Sequence, residues 1–501
     1  MNLKLSMVAL ACSLLAACGS AVKMPDNAQV QSDAQIRAAS AWQTASPNLT
    51  HNLPHGGSQA QLIAWWTQFG DAAFDELMQA AQASSATLPA ALSRVAQART
   101  GVARADDALS PNLNLNAQGS RAVQAPKAPP ATSLSAGLQA SWELDLWGGN
   151  RATLSAAEQR VRGAELGWHE ARVAVAAEMA SAYMGYRYCE NLLELLERDA
   201  ASRSETFRLA ELTAKAGFSA PAVAQLARAS SFDAANSVTA TQAQCDAQIK
   251  ALVALSGLQE SALREKLKQN RPIAGKIAAQ SAIFSIADSV KQLPALLLAQ
   301  RPDIASAQLD VTAAALDIRA SDARRYPSLA LNGSIGLWQS RQMGITNEGL
   351  TWGIGPIVLN LPLTNQDVTR SNTEAAVATY DAAVRALQAK ARLAVSEVET
   401  ALVNLNAAAL RGTQTKASAE GYAASLAATQ SRYRAGLASL VELEDARRTA
   451  LFAEQNQLAV ERDRMAAWIS LYRATGGGWT QDTPIGAAPS SSVAAAPTTQ
   501  K

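Results

Sequence analysis

Histidine and cysteine are scarce in this sequence, which contains three His and four Cys among 501 residues. None of the histidines (His51, His55 and His169) has other metal ligands at a suitable spacing nearby. The sequence also shows neither a phosphate-binding loop nor a nucleophile motif. We therefore predict no metal site, no cofactor and no enzymatic activity.

Long apolar runs are missing as well. Although 48% of the residues are hydrophobic, no stretch after the first 17 residues reaches 18 consecutive apolar positions. This excludes a transmembrane helix, so any membrane crossing would need strands closed into a barrel. The formal net charge is only +2, and about +1 without residues 1–17, which contain Lys4 alone. A nearly neutral chain is not expected to bind nucleic acid.

The N-terminus has the layout of an export signal. Lys4 precedes an apolar run, Leu5–Ala17, that is too short to span a bilayer. The segment Leu15-Ala-Ala-Cys18-Gly19 resembles a bacterial lipobox. That resemblance implies cleavage of residues 1–17, diacylglycerol and N-palmitoyl on Cys18, and, because Gly19 is not Asp, transport to the outer membrane. The alternative is an ordinary signal peptide with a chance cysteine.

The remaining chain repeats itself. Pro111–Ala117 is similar to Pro327–Gly333 at an offset of 216, and the turn at Gly217 is similar to that at Gly436 at an offset of 219. Each half is predicted to contain a helix, two strands, a long helix, a turn and a second long helix. The predicted segments are an anchored N-terminal stretch (18–60), repeat 1 (61–277), repeat 2 (278–478) and a disordered tail (479–501) rich in Ser, Ala, Pro and Thr.

Four segments alternate apolar and polar residues with a period of two, which predicts strands at 112–119, 134–146, 328–338 and about 351–363. Glu143 and Asp145 fall on the polar face, and Pro356 and Pro362 predict a bend in the fourth strand. The apolar face could cover a soluble core or face lipid. Because four strands cannot close a membrane barrel, the second alternative requires several chains to share one barrel.

Two long helical hairpins are predicted, 150–214 with 220–256 and 367–433 with 440–475. Residues 150–214 contain no proline and would extend roughly 97 Å at 1.5 Å per residue. Cys189 and Cys245 each lie 28 residues from Gly217, so an antiparallel hairpin would place them at one level. We predict a disulfide between them; the alternative is a pair of buried thiols.

Several short motifs in this order resemble the TolC-type outer membrane factors, specifically the OprM/NodT-like lipoproteins of RND-type tripartite pumps. The resemblance covers residues 18 to about 478, and one departure is Leu363–Arg370, which replaces an aromatic-Asp-Gly-Gly run. The motifs are Trp65–Asp71, Trp142–Gly148, Arg301–Ile304, Arg319–Ser328 and Tyr433–Leu437.

The resemblance implies an α+β membrane protein that forms a homotrimer. Each chain would give four strands to a 12-stranded outer-membrane β-barrel, and the hairpins would form a periplasmic α-barrel. This lipid-anchored duct would passively conduct what an inner-membrane RND-type transporter and a periplasmic adaptor (membrane fusion) protein export. A periplasmic adaptor and a structural coiled-coil lipoprotein without a pore are the alternatives, although neither needs the alternating strands.

The same resemblance assigns functional residues at the turns. Glu442 and Asp445 would form acidic rings that narrow the periplasmic end, and Tyr433 would help to hold the closed state. By their charge alone, both acids would equally suit a solvated helix N-terminus. The predicted adaptor-contact tips are Gly217, Phe218, Gly436 and Leu437.

Overall fold

The computed structural model describes residues 24–35, 71–123, 129–269, 301–361 and 366–477. The predicted signal peptide, Cys18, the domain boundaries, His51, His55 and the C-terminal tail lie outside these residues and stay predictions. Within the described ranges, none of the helices combines the length and the hydropathy that a membrane crossing requires.

The order helix, strand, strand, long helix, long helix occurs twice, as α3-β1-β2-α4-α5 and as α7-β3-β4-α8-α9. The strands are β1 (Asn112–Ala122), β2 (Ala131–Leu144), β3 (Ser328–Gln342) and β4 (Ile345–Asn360). The helices are α1 (Asn27–Asp33), α2 (Ala72–Ser84), α3 (Thr87–Asp107), α4 (Gly149–Lys215), α5 (Pro221–Ser256), α6 (Glu260–Gln269), α7 (Pro302–Ala323), α8 (Gln366–Arg434) and α9 (Leu440–Ala474).

The chain forms two compact units, and one of them contains all four strands. These strands form one antiparallel sheet in the order β1-β2-β3-β4. Leu115, Leu138, Ile335 and Trp352 are direct cross-strand partners and are all exposed. Because direct partners point to the same side of a sheet, they belong to one apolar face, and mainly Asn, Ser and Gln side chains occupy the other. The predicted alternation of faces is confirmed.

β4 differs from the sequence expectation because it begins at Ile345, six residues before the predicted start at 351. The fourth strand is irregular near Pro356, as predicted. The register shifts opposite Leu331 and Gly333, and the side-chain amide of Asn332 donates to the carbonyl of Pro356 at 3.1 Å. Pro356 has no N–H to donate to the ladder, and its own carbonyl is satisfied by a side chain rather than by a backbone N–H of β3.

The junction between β2 and α4 corrects one assignment. Asp145 lies beyond the end of β2 rather than on the strand, and its carboxylate accepts the backbone N–H of Asn150 at 3.1 Å. It therefore satisfies a free N–H at the start of α4. Trp147 stacks on Tyr326 with ring centroids 4.7 Å apart and donates its indole N–H to the carbonyl of Pro327 at 2.8 Å. These contacts join the start of α4 to the start of β3.

In the second unit, an aromatic pair holds the short helix α2 against α4. Phe74 stacks on Tyr183 with centroids 4.8 Å apart, and the buried guanidinium of Arg187 lies 5.0 Å from the Tyr183 ring. The Tyr183 hydroxyl donates to Asp71, whose other oxygen caps α2 by accepting the N–H of Ala73. Asp71 is the described end of the Trp65–Asp71 motif; it caps α2, and its Oδ2 also lies 3.6 Å from Nη2 of the buried Arg187.

Cys189 on α4 and Cys245 on α5 form a disulfide, with their Cα atoms 5.5 Å apart. Both residues are buried, and Gly217 lies between them in the turn of the antiparallel hairpin. The bond therefore holds the two helices of the first hairpin in one register.

Replacing both cysteines by serine should lower the stability of the first hairpin by about 2–4 kcal/mol, because the unfolded chain loses its cross-link. The urea midpoint of the far-UV circular dichroism of the purified protein measures this loss. Wild-type protein treated with reductant is the matched control and should shift similarly. Two free thiols in an unreduced peptide map would contradict the bond.

Candidate functional site at the hairpin turns

The two long hairpins end in turns of the same geometry. Gly217 and Gly436 both have positive φ, +78° and +72°. In each turn the next residue donates its N–H to the carbonyl five positions earlier, at 2.9 Å from Phe218 and at 2.8 Å from Leu437. This arrangement ends a helix through a left-handed residue, which favours glycine. The turns that the sequence repeat matched are therefore equivalent in structure.

Apolar side chains at both turns face solvent. Phe218 is 87% exposed, Leu437 is 70% exposed and Val441, in the first turn of α9, is 63% exposed. The predicted tip residues are thus accessible at the ends of the hairpins.

Glu442 and Asp445 are exposed, and each forms hydrogen bonds with residues of α9 or of its N-cap. Glu442 forms a capping box with Ser439, whose N–H donates to the carboxylate at 2.6 Å while the Ser439 hydroxyl accepts the N–H of Glu442 at 3.2 Å. The backbone hydrogen bond from Ser439 lowers the pKa of Glu442. Asp445 accepts from Arg448 at 2.5 Å. Both acids thus stabilise the start of α9 and still carry solvent-exposed carboxylates.

Tyr433 lies half-buried where the two hairpins meet. It packs against a cluster whose buried members come from three helices, Ala210 on α4, Ala227 on α5, and Leu440 and Leu443 on α9. Burial raises the pKa of Tyr433, so its hydroxyl is neutral at physiological pH. The residue therefore connects the end of α8 to the first hairpin through apolar contacts.

Further along α9, after Leu443, lies a buried arginine that the sequence analysis did not single out. Arg447 is 4% exposed. Its guanidinium donates to Glu444 at 2.6 Å and to the hydroxyls of Ser202 and Thr206, each at 3.1 Å. Burial lowers the pKa of Arg447, while the charge of Glu444 opposes that shift.

Glu444 extends these bonds to a second arginine. Its other oxygen accepts from Arg203 at 2.9 Å and from the hydroxyl of Ser230 at 2.6 Å, and Arg203 also donates to Asp199 at 2.7 Å. These side chains form a polar network across α4, α5 and α9, in which Arg447 and Thr206 are buried and the other members are partly buried. We call it the Arg447–Glu444 network; it consists of Asp199, Ser202, Arg203, Thr206, Ser230, Glu444 and Arg447.

One signal in the sequence could have revealed this network. Leu440, Leu443, Arg447 and Ala450 follow one another at steps of three and four and are all buried. An arginine at such a seam position must find acceptors, because an unpaired buried charge is strongly unfavourable. Glu444, three residues before Arg447, was the nearest candidate on its own helix.

The part of the chain that the structure describes contains no group of three or more His, Cys, Asp or Glu residues arranged to hold a metal ion. His169 is buried on α4 beside the ring of Trp168. Burial, and to a lesser extent the charge of Arg172, lowers the pKa of His169 to about 4, so the imidazole is neutral at neutral pH.

Comparison with known proteins gives consistent matches. The sequence model of the family described as outer membrane efflux protein matches residues 77–258 and 293–477, more than half of the chain. The pyoverdine export outer membrane protein OpmQ of Pseudomonas aeruginosa is 26% identical over 484 residues, 94% of this chain and 96% of the relative. The toluene efflux pump outer membrane protein TtgI of Pseudomonas putida is 30% identical over 349 residues, 69% and 71% of the two chains.

Among solved structures, the outer-membrane channel OprN superposes with a TM-score of 0.73 at 22% identity, covering 92% of this chain and 99% of that chain. At this level of identity the match supports the fold alone. It shows that this chain has the fold of a TolC-type channel subunit, mostly helical with four antiparallel strands in a sheet that is not closed.

Replacing Arg447 by alanine should lower the free energy of opening at the start of α9 by about 3 kcal/mol, because Glu444, Ser202 and Thr206 lose a buried partner. Hydrogen exchange at the amides of residues 440–450 measures this change. Arg448→Ala is the matched control, since it removes a neighbouring exposed arginine paired with Asp445 and should cost less than about 1 kcal/mol. Equal effects of the two substitutions would show that the network does not hold α9.

Proposed function

Because this chain belongs to the outer membrane efflux protein family, we propose that three copies of it form one exit duct through the outer membrane. The protein is an outer-membrane channel of an efflux system. The observation that supports the trimer is the open sheet: within the described ranges, β1 and β4 each pair with one strand. Three sheets of four strands would supply the twelve strands of one barrel.

The unpaired edges of the sheet support a barrel that is built from the strands of several chains. A lipid-exposed strand edge leaves backbone donors and acceptors without partners, which is very unfavourable in a bilayer. Four strands are too few to close a barrel around a lumen, since about eight is the minimum. Pairing β4 of one copy with β1 of the next would satisfy both edges and turn the polar face towards the lumen.

We propose that Cys18 carries diacylglycerol and N-palmitoyl and that this lipid guides the chain to the outer membrane, with the hairpins in the periplasm. The lipobox-like segment Leu15–Gly19 supports the modification. Multiple acyl chains anchor firmly, at about 0.8 kcal/mol per buried CH₂. The barrel would still span the bilayer without them.

The partners we propose are a periplasmic adaptor protein at the hairpin turns and an inner-membrane RND-type transporter. Exposed Phe218 and Leu437 support the adaptor contact. The name of TtgI, the outer membrane protein of a toluene efflux pump, supports a multi-protein system. Pyoverdine export and toluene efflux differ in cargo, so we infer that the transporter selects the substrate and that this duct conducts it.

We propose that Glu442 and Asp445 form the acidic rings of a periplasmic gate, with Tyr433 supporting the closed arrangement. Both carboxylates are exposed in the single chain, and two members of the Arg447–Glu444 network, Glu444 and Arg447, lie on the same helical segment. In a trimer about a threefold axis, each acid would be present three times and would attract cations. Movement of α9, driven by contacts with the adaptor and the transporter, would separate the rings.

Replacing Glu442 and Asp445 together by alanine should raise single-channel conductance in planar bilayers and weaken block by divalent cations, because the carboxylate rings are removed. The matched control is Glu205→Ala with Glu211→Ala, which removes the same charge from the end of α4 in the first hairpin. Unchanged conductance in the first variant, or an equal rise in the control, would reject the gate.

A Cys18→Ala chain given a conventional cleavage site should still form trimers and retain part of the efflux, because the barrel itself spans the membrane. Heat-modifiable migration of outer-membrane fractions reports the trimer. It also separates a channel from an adaptor or from a coiled-coil lipoprotein without a pore. A fully soluble product would contradict the proposed barrel.

A further inference from the structure

Two arginines lie in one row of the sheet, near its hairpin loops. Arg121 on β1 is the direct partner of Thr132 on β2, and Thr132 is the direct partner of Arg341 on β3. Direct partners share a face, so both guanidinium groups project from the same side, with Cα atoms about 10 Å apart across two strand spacings. Both arginines are exposed, and among the described residues no carboxylate lies within ion-pair distance of either.

This row belongs to the apolar face of the sheet and lies beyond its apolar band. On β3 the same face carries Leu329, Leu331, Ile335 and Leu337 before it reaches Arg341. From Leu329 to Leu337 the strand extends about 27 Å, which is close to the roughly 25 Å apolar band of a membrane barrel. Arg341 is about 14 Å further along, on the side of the β1–β2 and β3–β4 loops.

The orientation of the sheet in the membrane, that is, which strand ends face the outside, rests on the proposed function. All four strands join helices at the end that contains Asn112, Leu144, Ser328 and Asn360. If the helices are periplasmic, the opposite end faces the outside, and the arginine row lies at the headgroups of the outer leaflet. An arginine on the lipid face is strongly unfavourable at the bilayer midplane, but this cost becomes small near the interface.

We propose that Arg121 and Arg341 bind a phosphate of the phosphorylated glycolipid that forms the outer leaflet. A guanidinium offers two parallel N–H donors that match a phosphate, and the Thr132 hydroxyl lies between the two arginines as a further donor. The one acid of the adjacent row, Glu348, accepts from Gln339 at 2.9 Å on the side of the apolar band. A trimer would carry three such sites around its barrel.

The test measures lipid binding to the purified trimer by native mass spectrometry, with phosphorylated lipid A and enzymatically dephosphorylated lipid A as the probes. Arg121→Gln with Arg341→Gln should weaken binding of the phosphorylated lipid at least about tenfold, as expected for losing charge-assisted hydrogen bonds. The matched control is Arg385→Gln with Arg392→Gln, two exposed arginines of α8 with the same charge change. That control should bind like the wild type.

Equal binding of both lipids by the wild-type trimer, an equal loss in the α8 control, or inorganic phosphate binding as tightly as the lipid would overturn the proposal. If the Gln variant does not assemble, the wild-type trimer still tests the proposal, because it should bind phosphorylated lipid A more tightly than dephosphorylated lipid A. Arg121→Lys with Arg341→Lys should keep part of the preference for phosphate. A wild-type chain that forms no heat-modifiable outer-membrane trimer would reject the proposed function as well, which distinguishes the two failures.

Discussion

The hydrogen-bonding requirement of the strand edges is the constraint on which the rest of this structure depends. One chain supplies a sheet whose inner strands, β2 and β3, are paired on both sides and whose outer strands, β1 and β4, are paired on one. In lipid the free edges must find partners, and other copies of the same chain can provide them. Each half of the sequence repeat contributes one strand pair and one helical hairpin, so the two halves together supply the four strands of the sheet.

The helical hairpins satisfy a second requirement, which is to keep long helices in one register. In the first hairpin, the Cys189–Cys245 disulfide and an apolar seam hold α4 against α5. Between the hairpins, the Arg447–Glu444 network supplies directional bonds to α4 and α5. Apolar contacts alone allow helices to slide, whereas buried polar groups lose much of their stabilisation when displaced. We therefore expect the polar network to specify the position of α9.

Much of the architecture could be predicted because it depends on periodic patterns. The period of two placed the four strands, and the equal distances of Cys189 and Cys245 from Gly217 placed both at one level. Other features depended on distant partners. The extended start of β4 follows from pairing of Ile345 with Gln342 and of its neighbours with β3, and the N-terminal cap by Asp145 follows from where β2 ends. Neither is visible in local periodicity.

By itself, the sequence determined the strand and helix pattern, the repeat, the turns at Gly217 and Gly436 and the family, because these depend on composition and spacing along the chain. Only the tertiary structure decided which charged residues are buried. Glu442, Glu444 and Asp445 are close in sequence, yet Glu444 lies in a network between hairpins while the other two face solvent. The reason is physical: burial depends on what packs against each face of α9, and those residues come from α4 and α5, more than 200 positions away.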